Sequence, residues 1–302
     1  MRLDAYLTGK SDVKSRTVAK RLIEDGQVTV NGVIVKKPSF SITSEETVRY
    51  TLPSPPAIPE DRNHEIDLPI LYEDEACMVI GKPSGLIMHP GSGTKPGDIT
   101  LLSALKPLFA ERRLPFSEST VLVHRLDKDT TGCLLVAKNP EAHQALQQQF
   151  MDRETTKTYL ALVFGVPKKS EAVIDIPIGR DTGQRTRMSV HRTSSSRDAK
   201  TAYKTLFSVD GVSLLQCTIL TGRTHQIRVH LSALHHPVLG DPTYGSLESS
   251  DMSKELGVES IMLHAWKLSF LSPDTNKEVK VTAPPPTESV KLFQRLGLDR
   301  LP

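Results

Sequence analysis

A short stretch of charged and hydroxylic side chains lies between two apolar runs of this 302-residue chain. It reads His124-Arg125-Leu126-Asp127-Lys128-Asp129-Thr130-Thr131-Gly132. The flanking runs, 121–123 and 133–137, have the composition of buried strands, so the stretch is predicted to be a loop presented by a rigid scaffold. Asp127 is its candidate reactive carboxylate. The structural alternative is a loop aspartate neutralised by Arg125, and the local sequence does not decide between the two.

A second polar cluster begins after the apolar run 214–220. A helix is predicted to start near Thr224, because residues at core spacing follow it: Ile227, His230, Leu231 and Leu234. This spacing predicts that Arg228 points away from the packed face. The alternative is an arginine with no role beyond the surface.

Tyr159 lies in an apolar segment that starts at Thr156. Side chains alternate along a strand, so Tyr159 is predicted to share one face with Lys157, Ala161 and Val163. A half-buried strand tyrosine without chemistry is the alternative.

The loop resembles the H-R-L-D-x-x-T-T-G signature of the RluA type of pseudouridine synthase, and three further stretches agree in order. Residues 81–91 resemble its K-P-x-G-L and H-P-G segment, and residues 157–161 its K-x-Y-x-A strand. Residues 221–245 resemble its T-G-R-x-H-Q-I-R-V-H, H-P, G-D and Y-G block. The resemblance covers roughly residues 68–290. Thr131 stands where serine is more usual, and Gly81 where a polar residue often precedes the lysine.

The resemblance implies an isomerisation of uridine to pseudouridine. The bond from ribose C1′ to N1 breaks, the uracil turns, and C1′ joins C5, with no cofactor. Asp127 is implied to be the essential carboxylate, either as nucleophile at C1′ or as the base that removes the C2′ proton. Arg228 is implied to pair with it and Tyr159 to stack on the uracil. RNA contacts are implied for Arg125, which would fill the space of the flipped base, and for Arg223 and His225.

The histidines do not have the spacing of a metal site. His225 and His230 are five residues apart, and His235 and His236 are adjacent, so neither forms a helical His-x-x-x-His pair. Gly-x-Gly-x-x-Gly and Walker-type loops are also missing from the sequence, so neither a metal nor a cofactor is expected.

Four prolines between residues 53 and 59 exclude a helix or a central strand there and predict an extended linker, residues 53–67. The segment 68–302 contains several short apolar runs with few interposed helices. One helix is predicted from Asn139-Pro140, with Ala142, Leu146 and Phe150 on its packed face. The predicted class is α+β, with a mixed, largely antiparallel sheet.

Residues 1–52 form the other predicted domain. A helix over 13–25, with Val18, Ala19, Leu22 and Ile23 on one face, ends before Gly26. Asn31-Gly32 between two β-branched runs then predicts a hairpin. The segment resembles the small RNA-binding module named after ribosomal protein S-four. Its predicted RNA-contacting side chains are the cations of the helix: Lys14, Arg16, Lys20 and Arg21.

Charge is unevenly distributed along the chain. The net charge of +3 equals the excess of residues 1–50, which hold nine basic and six acidic side chains. A second excess lies in 176–230, with nine basic and three acidic side chains, and Arg180, Arg185, Arg187, Arg192 and Arg197 there are interpreted as a mobile basic loop. This pattern suits a polyanion held at two places, although chance clustering on solvated faces would look the same.

Large-subunit ribosomal RNA is the expected partner, with transfer RNA as an alternative. A catalytically silent RNA-binding or assembly protein is the alternative from another class, and a glycosidase would need a second carboxylate. No apolar run is long enough for a membrane span, and the N-terminus lacks a secretory signal. A cytoplasmic monomer is therefore expected, with Cys77, Cys133 and Cys217 as core residues.

Overall fold

The computed structural model describes residues 1–10, 13, 16–43, 45–51, 66–90, 98–184, 187–191, 193–298 and 301. The chain divides into two compact units. One comprises Met1–Asn63 with Lys95–Gly97, and the other comprises His64–Thr94 with Asp98–Pro302. Most of the predicted proline linker, like Lys14, Arg185 and Arg192, lies outside the described residues.

The N-terminal unit is two helices against a small antiparallel sheet. Its elements are α1 (Leu3–Thr8), α2 (Arg16–Glu24), β1 (Val28–Val30), β2 (Val33–Ile34) and β3 (Val48–Tyr50), with strand order β2-β1-β3. The predicted hairpin is confirmed. Asn31 and Gly32 both have positive φ, 50° and 83°, as the two central residues of a type I′ turn require. The predicted helix face is confirmed for Ala19, Leu22 and Ile23, which are buried, whereas Val18 is 38% exposed.

The second unit carries the remaining elements. They are β4 (Ile70–Glu73), β5 (Cys77–Lys82), α3 (Leu101–Glu111), β6 (Thr131–Ala137), α4 (Pro140–Asp152), β7 (Thr156–Phe164), β8 (Glu171–Asp175), β9 (Gly179–Arg180), β10 (Met188–Ser189), β11 (Lys200–Val209), β12 (Val212–Ile219), α5 (Gln226–Ala233), α6 (Leu247–Glu255), β13 (Leu263–Leu271), β14 (Glu278–Thr282) and α7 (Thr287–Arg295). The cap predicted for α4 is confirmed, since the Asn139 side chain accepts a hydrogen bond from the Ala142 N–H.

One large sheet organises this unit, with strand order β4-β5-β6-β13-β7-β12-β11-β8 and β14 paired to β13. The β6–β13 pair is parallel, and the other pairs described in this sheet are antiparallel. The predicted α+β class with a mixed, largely antiparallel sheet is confirmed. Strand β7 lies between β13 and β12, which places Tyr159 in the interior of the sheet.

The two faces of the sheet pack into different cores. On β5, Met78 and Ile80 belong to the cluster that contains Phe109 of α3, while Cys77 and Val79 belong to the cluster that contains Leu146 of α4. This alternation is the strand period of two. The three cysteines are buried and unpaired, as predicted.

Two predicted elements differ from the structure. Residues 121–123 do not form a strand. Leu122 makes a single bridge to Val136, and the chain then turns away from β6. The basic segment interpreted as a loop contains a short ribbon, because Met188 and Ser189 pair with Arg180 and Gly179. In the described part of the chain, no helix is long and apolar enough to cross a membrane.

Candidate active site

The structure brings Asp127 and Arg228 together although 101 residues separate them. Asp127 lies in the loop before β6, and Arg228 lies on the first turn of α5. The Arg228 Nη1 donates a hydrogen bond to Asp127 Oδ2 at 3.2 Å. The Asp127 side chain is 17% exposed, so its carboxylate is sheltered but can still be reached from the adjoining cleft.

Arg228 is buried, contrary to the prediction that it points away from the packed face. Its side chain is 6% exposed because Asp241 occupies that side of α5 and accepts from Nε at 2.7 Å and from Nη2 at 2.9 Å. Burial lowers the pKa of Arg228, but the hydrogen bonds to Asp241 and Asp127 and the charges of these carboxylates together outweigh this effect and leave the pKa above its ordinary value. The guanidinium therefore stays charged and has a fixed orientation.

Asp241 is a site residue that sequence reasoning missed. Its side chain is fully buried, and its Oδ1 also accepts from the backbone N–H groups of Thr243 and Tyr244 at 2.9 and 3.1 Å. A carboxylate with this many donors keeps its own position and holds its cation in place. The signal was present in the G-D pair of the 221–245 block, where no role had been assigned to the aspartate.

Tyr244 joins the basic ribbon to the site. Two guanidinium groups lie over its ring, those of Arg187 and Arg228, at 5.1 and 5.0 Å from the ring centre. Its hydroxyl accepts from the Met188 N–H at 2.9 Å and is 2.8 Å from Nδ1 of His225. The ribbon is thereby attached to the residues that flank Arg228.

The start of α5 is set by hydrogen bonds rather than by the apolar spacing. The Gln226 side chain accepts from Thr221 Oγ1 at 2.7 Å and from the Arg223 N–H at 3.0 Å. His225 then adopts a left-handed conformation, with φ of 55°, and the helix begins at Gln226, two residues later than predicted. His225 and Arg223 consequently face the cleft.

Tyr159, on β7, lines the same cleft as Asp127 and is 7% exposed. Burial raises the pKa of its phenol, and the charge of Asp127 raises it further. The hydroxyl therefore stays protonated. What Tyr159 offers to a ligand is an aromatic ring and an O–H donor rather than a phenolate.

Lys82 fixes the loop that carries Asp127 and was also missed. Its Nζ donates to the carbonyl oxygens of Pro83, Lys128 and Thr130 at 2.9, 2.7 and 3.1 Å. The loop enters β6 at Gly132, whose φ is 107°, and a Cβ there would overlap the backbone of Ala265. Both features limit the movement of the Asp127 backbone.

The cleft beside these groups has a volume of about 540 Å³ and is lined by Asp127, Tyr159 and Arg228. This is within the range of roughly 300–1,000 Å³ for small-ligand sites. Arg125 is exposed at the cleft, and Arg223 donates from Nε to the carbonyl oxygen of Asp198 at 3.0 Å. A larger cavity of about 860 Å³, bordered by β13 and α7, has none of the three predicted catalytic residues in its lining.

The predicted RNA-contacting cations of α2 have acidic neighbours. Arg16 bonds Asp4 at 3.2 Å, and Asp4 is also held by Arg2. Lys20 and Arg21 lie 3.7 and 3.6 Å from Glu24 and Asp25, one helical turn along. Exposed pairs of this kind are weak, so the Lys20 and Arg21 side chains can exchange these partners for phosphates.

The chain was compared with known proteins. Residues 76–233 match a family model described as RNA pseudouridylate synthase, and residues 1–48 match that of the S4 domain. An uncharacterized RNA pseudouridine synthase of Bacillus subtilis is 36% identical over 98% of this chain and 94% of its own length. A ribosomal large subunit pseudouridine synthase D of Zymomonas mobilis is 35% identical over 98% of this chain and 93% of its own.

Solved structures give the same result for the fold. Human RNA pseudouridylate synthase domain containing 4 has a TM-score of 0.61 at 29% identity, covering 76% of this chain and 92% of that one. Human RNA pseudouridylate synthase domain containing 1 has a TM-score of 0.59 at 31% identity, covering 73% and 84%.

Proposed function

Since the chain belongs to the RNA pseudouridylate synthase family, we propose that it isomerises uridine in large-subunit ribosomal RNA with Asp127 as the essential carboxylate. The observation that carries this proposal is the contact between Asp127 and Arg228 at 3.2 Å in a cleft that Tyr159 also lines. Ribosomal RNA is favoured because relatives over nearly the whole chain are named for the large ribosomal subunit.

Asp127 acts on the ribose of a flipped uridine. Its carboxylate either attacks C1′ or removes the C2′ proton, and in both routes the C1′–N1 bond breaks and the uracil leaves C1′ as a delocalised anion. The anion stays in the cleft, turns against the Tyr159 ring and joins C1′ through C5, while the carboxylate leaves C1′ or the proton returns to C2′. One carboxylate suffices because no leaving oxygen has to be protonated, in contrast to glycoside hydrolysis.

Arg228 lies against the Asp127 carboxylate and compensates its charge. The Tyr159 hydroxyl, kept protonated, can take part in moving the proton released from C5. These roles derive from position, charge and protonation state.

Extruding a base from structured RNA costs a few kcal/mol. Arg125 is placed to offset part of this cost, because its exposed guanidinium lies at the cleft beside Asp127 and can stack as well as donate hydrogen bonds. Arg223 and His225, which also line the cleft, would contact RNA there. Residues 1–52 would bind RNA as a separate module, joined through 53–67 to a catalytic domain, 68–302.

The decisive experiment compares two aspartates of the same loop. Asp127→Asn should form no pseudouridine in transcribed large-subunit ribosomal RNA while its RNA affinity stays close to wild type, because the amide cannot act as nucleophile or base. Asp129→Asn, two residues along and outside the cleft lining, should stay active.

Pseudouridine is measured by sequencing after chemical derivatisation, on ribosomal and transfer RNA in parallel. Product formed by Asp127→Asn would overturn the assignment of the carboxylate. Modification confined to transfer RNA would contradict the proposal of ribosomal RNA as substrate but would still support the proposed reaction.

A further inference from the structure

Lys157 lies in the cleft next to the proposed base-binding residue. It precedes Tyr159 by two positions on β7, and the two side chains point to the same face of the strand and line the same cleft. At about 3.3 Å per residue, the positions are roughly 7 Å apart along the strand. Lys157 is thus the neighbouring side chain on the strand face that carries the Tyr159 ring.

The surroundings of Lys157 contain aromatic rings rather than acids. Its Nζ lies 4.7 Å above the Phe150 ring, and Phe150 stacks on His124 at 4.8 Å. Among the residues that the structure describes, none accepts a hydrogen bond from Lys157 or forms an ion pair with it. Burial lowers the pKa of Lys157 to about 8, since an ammonium without an acceptor is costly to charge.

Lys82 shows what a structural lysine looks like in the same domain. It is fully buried, and each of its three N–H bonds has a carbonyl acceptor. Lys157 is half-buried and has three donors as well, but none of the described residues accepts a hydrogen bond from them. Arg153 also lines the cleft, and among the described lining residues Asp127 is the one carboxylate.

We propose that Lys157 binds a phosphate of the RNA backbone next to the flipped uridine and so sets the depth at which the nucleotide enters the cleft. The proposal rests on the proposed function. A base that stacks on Tyr159 is tied through its ribose to a phosphate, and an ammonium further along the same strand face would receive it. An unpaired cation that is half-buried before binding loses little hydration when the phosphate arrives. Lys157 is a binding and positioning residue, and no proton transfer is assigned to it.

The test is substitution of Lys157 in the full-length protein with a short RNA substrate. Lys157→Met keeps the length and the packing on Phe150, and it should raise KM about tenfold while kcat stays within about twofold, as expected for loss of one charged contact. The slope of log Kd against log salt should become shallower by about one, which corresponds to one phosphate. Lys157→Arg should keep the wild-type slope.

Lys267→Met is the matched control. Lys267 is an exposed lysine on the neighbouring strand, 3.5 Å over the Trp266 ring, and it pairs with Thr158, so it points away from the cleft. It should leave KM and the salt slope unchanged. If Lys157→Met folds, measured by its Tm, and keeps both the wild-type KM and the wild-type salt slope, the phosphate site is wrong. A wild-type protein that forms no pseudouridine would instead contradict the proposed function.

Discussion

At the residue scale, the site depends on a buried chain of alternating charges. Asp127 is paired with Arg228, and Arg228 is paired with Asp241 through two further hydrogen bonds. The exposed fraction of the side chain falls from 17% at Asp127 to 6% at Arg228 and 0% at Asp241. Asp127, the group that would react, is thus the accessible member of this series of ion pairs, and Asp241 is its fixed, buried member.

Asp241→Asn should lower kcat with a small effect on KM. The amide retains one acceptor oxygen, but its NH2 group then faces a guanidinium, which has only donors and no acceptor atom. Arg228 should therefore shift. Misplacement by about 1 Å costs about 100-fold in rate. Removing the buried negative charge should also reduce the free energy of unfolding by about 3 kcal/mol.

The measurement is single-turnover pseudouridine formation together with urea denaturation. Asp251→Asn is the control, because Asp251 pairs with Lys254 on an exposed face of α6 and should change neither quantity. An Asp241→Asn protein with a wild-type kcat would show that the position of Arg228 does not depend on its hydrogen bonds to Asp241.

At the element scale, hydrogen bonds fix the loop that carries Asp127, residues 124–130, against its surroundings and against β6. Lys82 holds two carbonyl groups of the loop, and His124 holds its beginning, since the Nε2 of His124 accepts a hydrogen bond from the Leu135 N–H at 2.9 Å. A histidine that accepts at Nε2 is neutral. Burial, and to a smaller degree the charge of Lys157, lowers the pKa of His124 to about 3.

His124 should therefore make the protein less stable in mild acid. In the unfolded chain it takes up a proton below its ordinary pKa of 6.5, whereas in the folded protein it stays neutral down to about 3. The unfolded state then binds more protons over this interval, so the free energy of unfolding falls as the pH is lowered through it. His124→Gln keeps an acceptor for Leu135 but does not titrate.

The check is the urea midpoint at about pH 7 and about pH 5, where the wild type should lose more stability than His124→Gln. His191→Gln, at an exposed histidine, should follow the wild type. Equal losses in wild type and His124→Gln would contradict a His124 that stays neutral in the folded protein.

At the scale of the whole molecule, positive charge is concentrated in the two segments that the proposed function assigns to RNA binding. The N-terminal unit carries an excess of three basic side chains in residues 1–50, and the second excess covers the ribbon and α5. Segment 51–120 compensates with ten acidic and six basic side chains. A small net charge is therefore compatible with tight RNA binding, because attraction depends on the local field.

Removing residues 1–52 should weaken binding to ribosomal RNA and make its salt dependence shallower, because phosphate contacts are lost. Modification of a short substrate should persist, since the cleft residues all belong to the second unit. Lys20→Ala with Arg21→Ala in the full-length chain should show the same effect on binding to a smaller extent. Loss of activity on every substrate after the truncation would instead assign residues 1–52 a structural role.

Local patterns were sufficient for much of the architecture. The Asn31-Gly32 hairpin, the capped start of α4 and the mixed sheet follow from turn geometry, capping and strand alternation, which act over a few residues. The ordered motifs identified the family and singled out Asp127, Tyr159 and Arg228. Leu122 was misread because an apolar run looks the same whether it makes one bridge or a full strand.

The sequence by itself determined which side chains are present for the chemistry and the order in which they occur. Only the tertiary structure decided that Arg228 is buried against Asp241, that Lys82 is fully bonded and that Lys157 is not. The contacts of Arg228 and Lys82 join residues 13 and 46 positions apart along the chain, and the contact between Asp127 and Arg228 joins residues 101 positions apart. Strand order and packing bring such residues together, and neither periodicity nor local propensity contains that information.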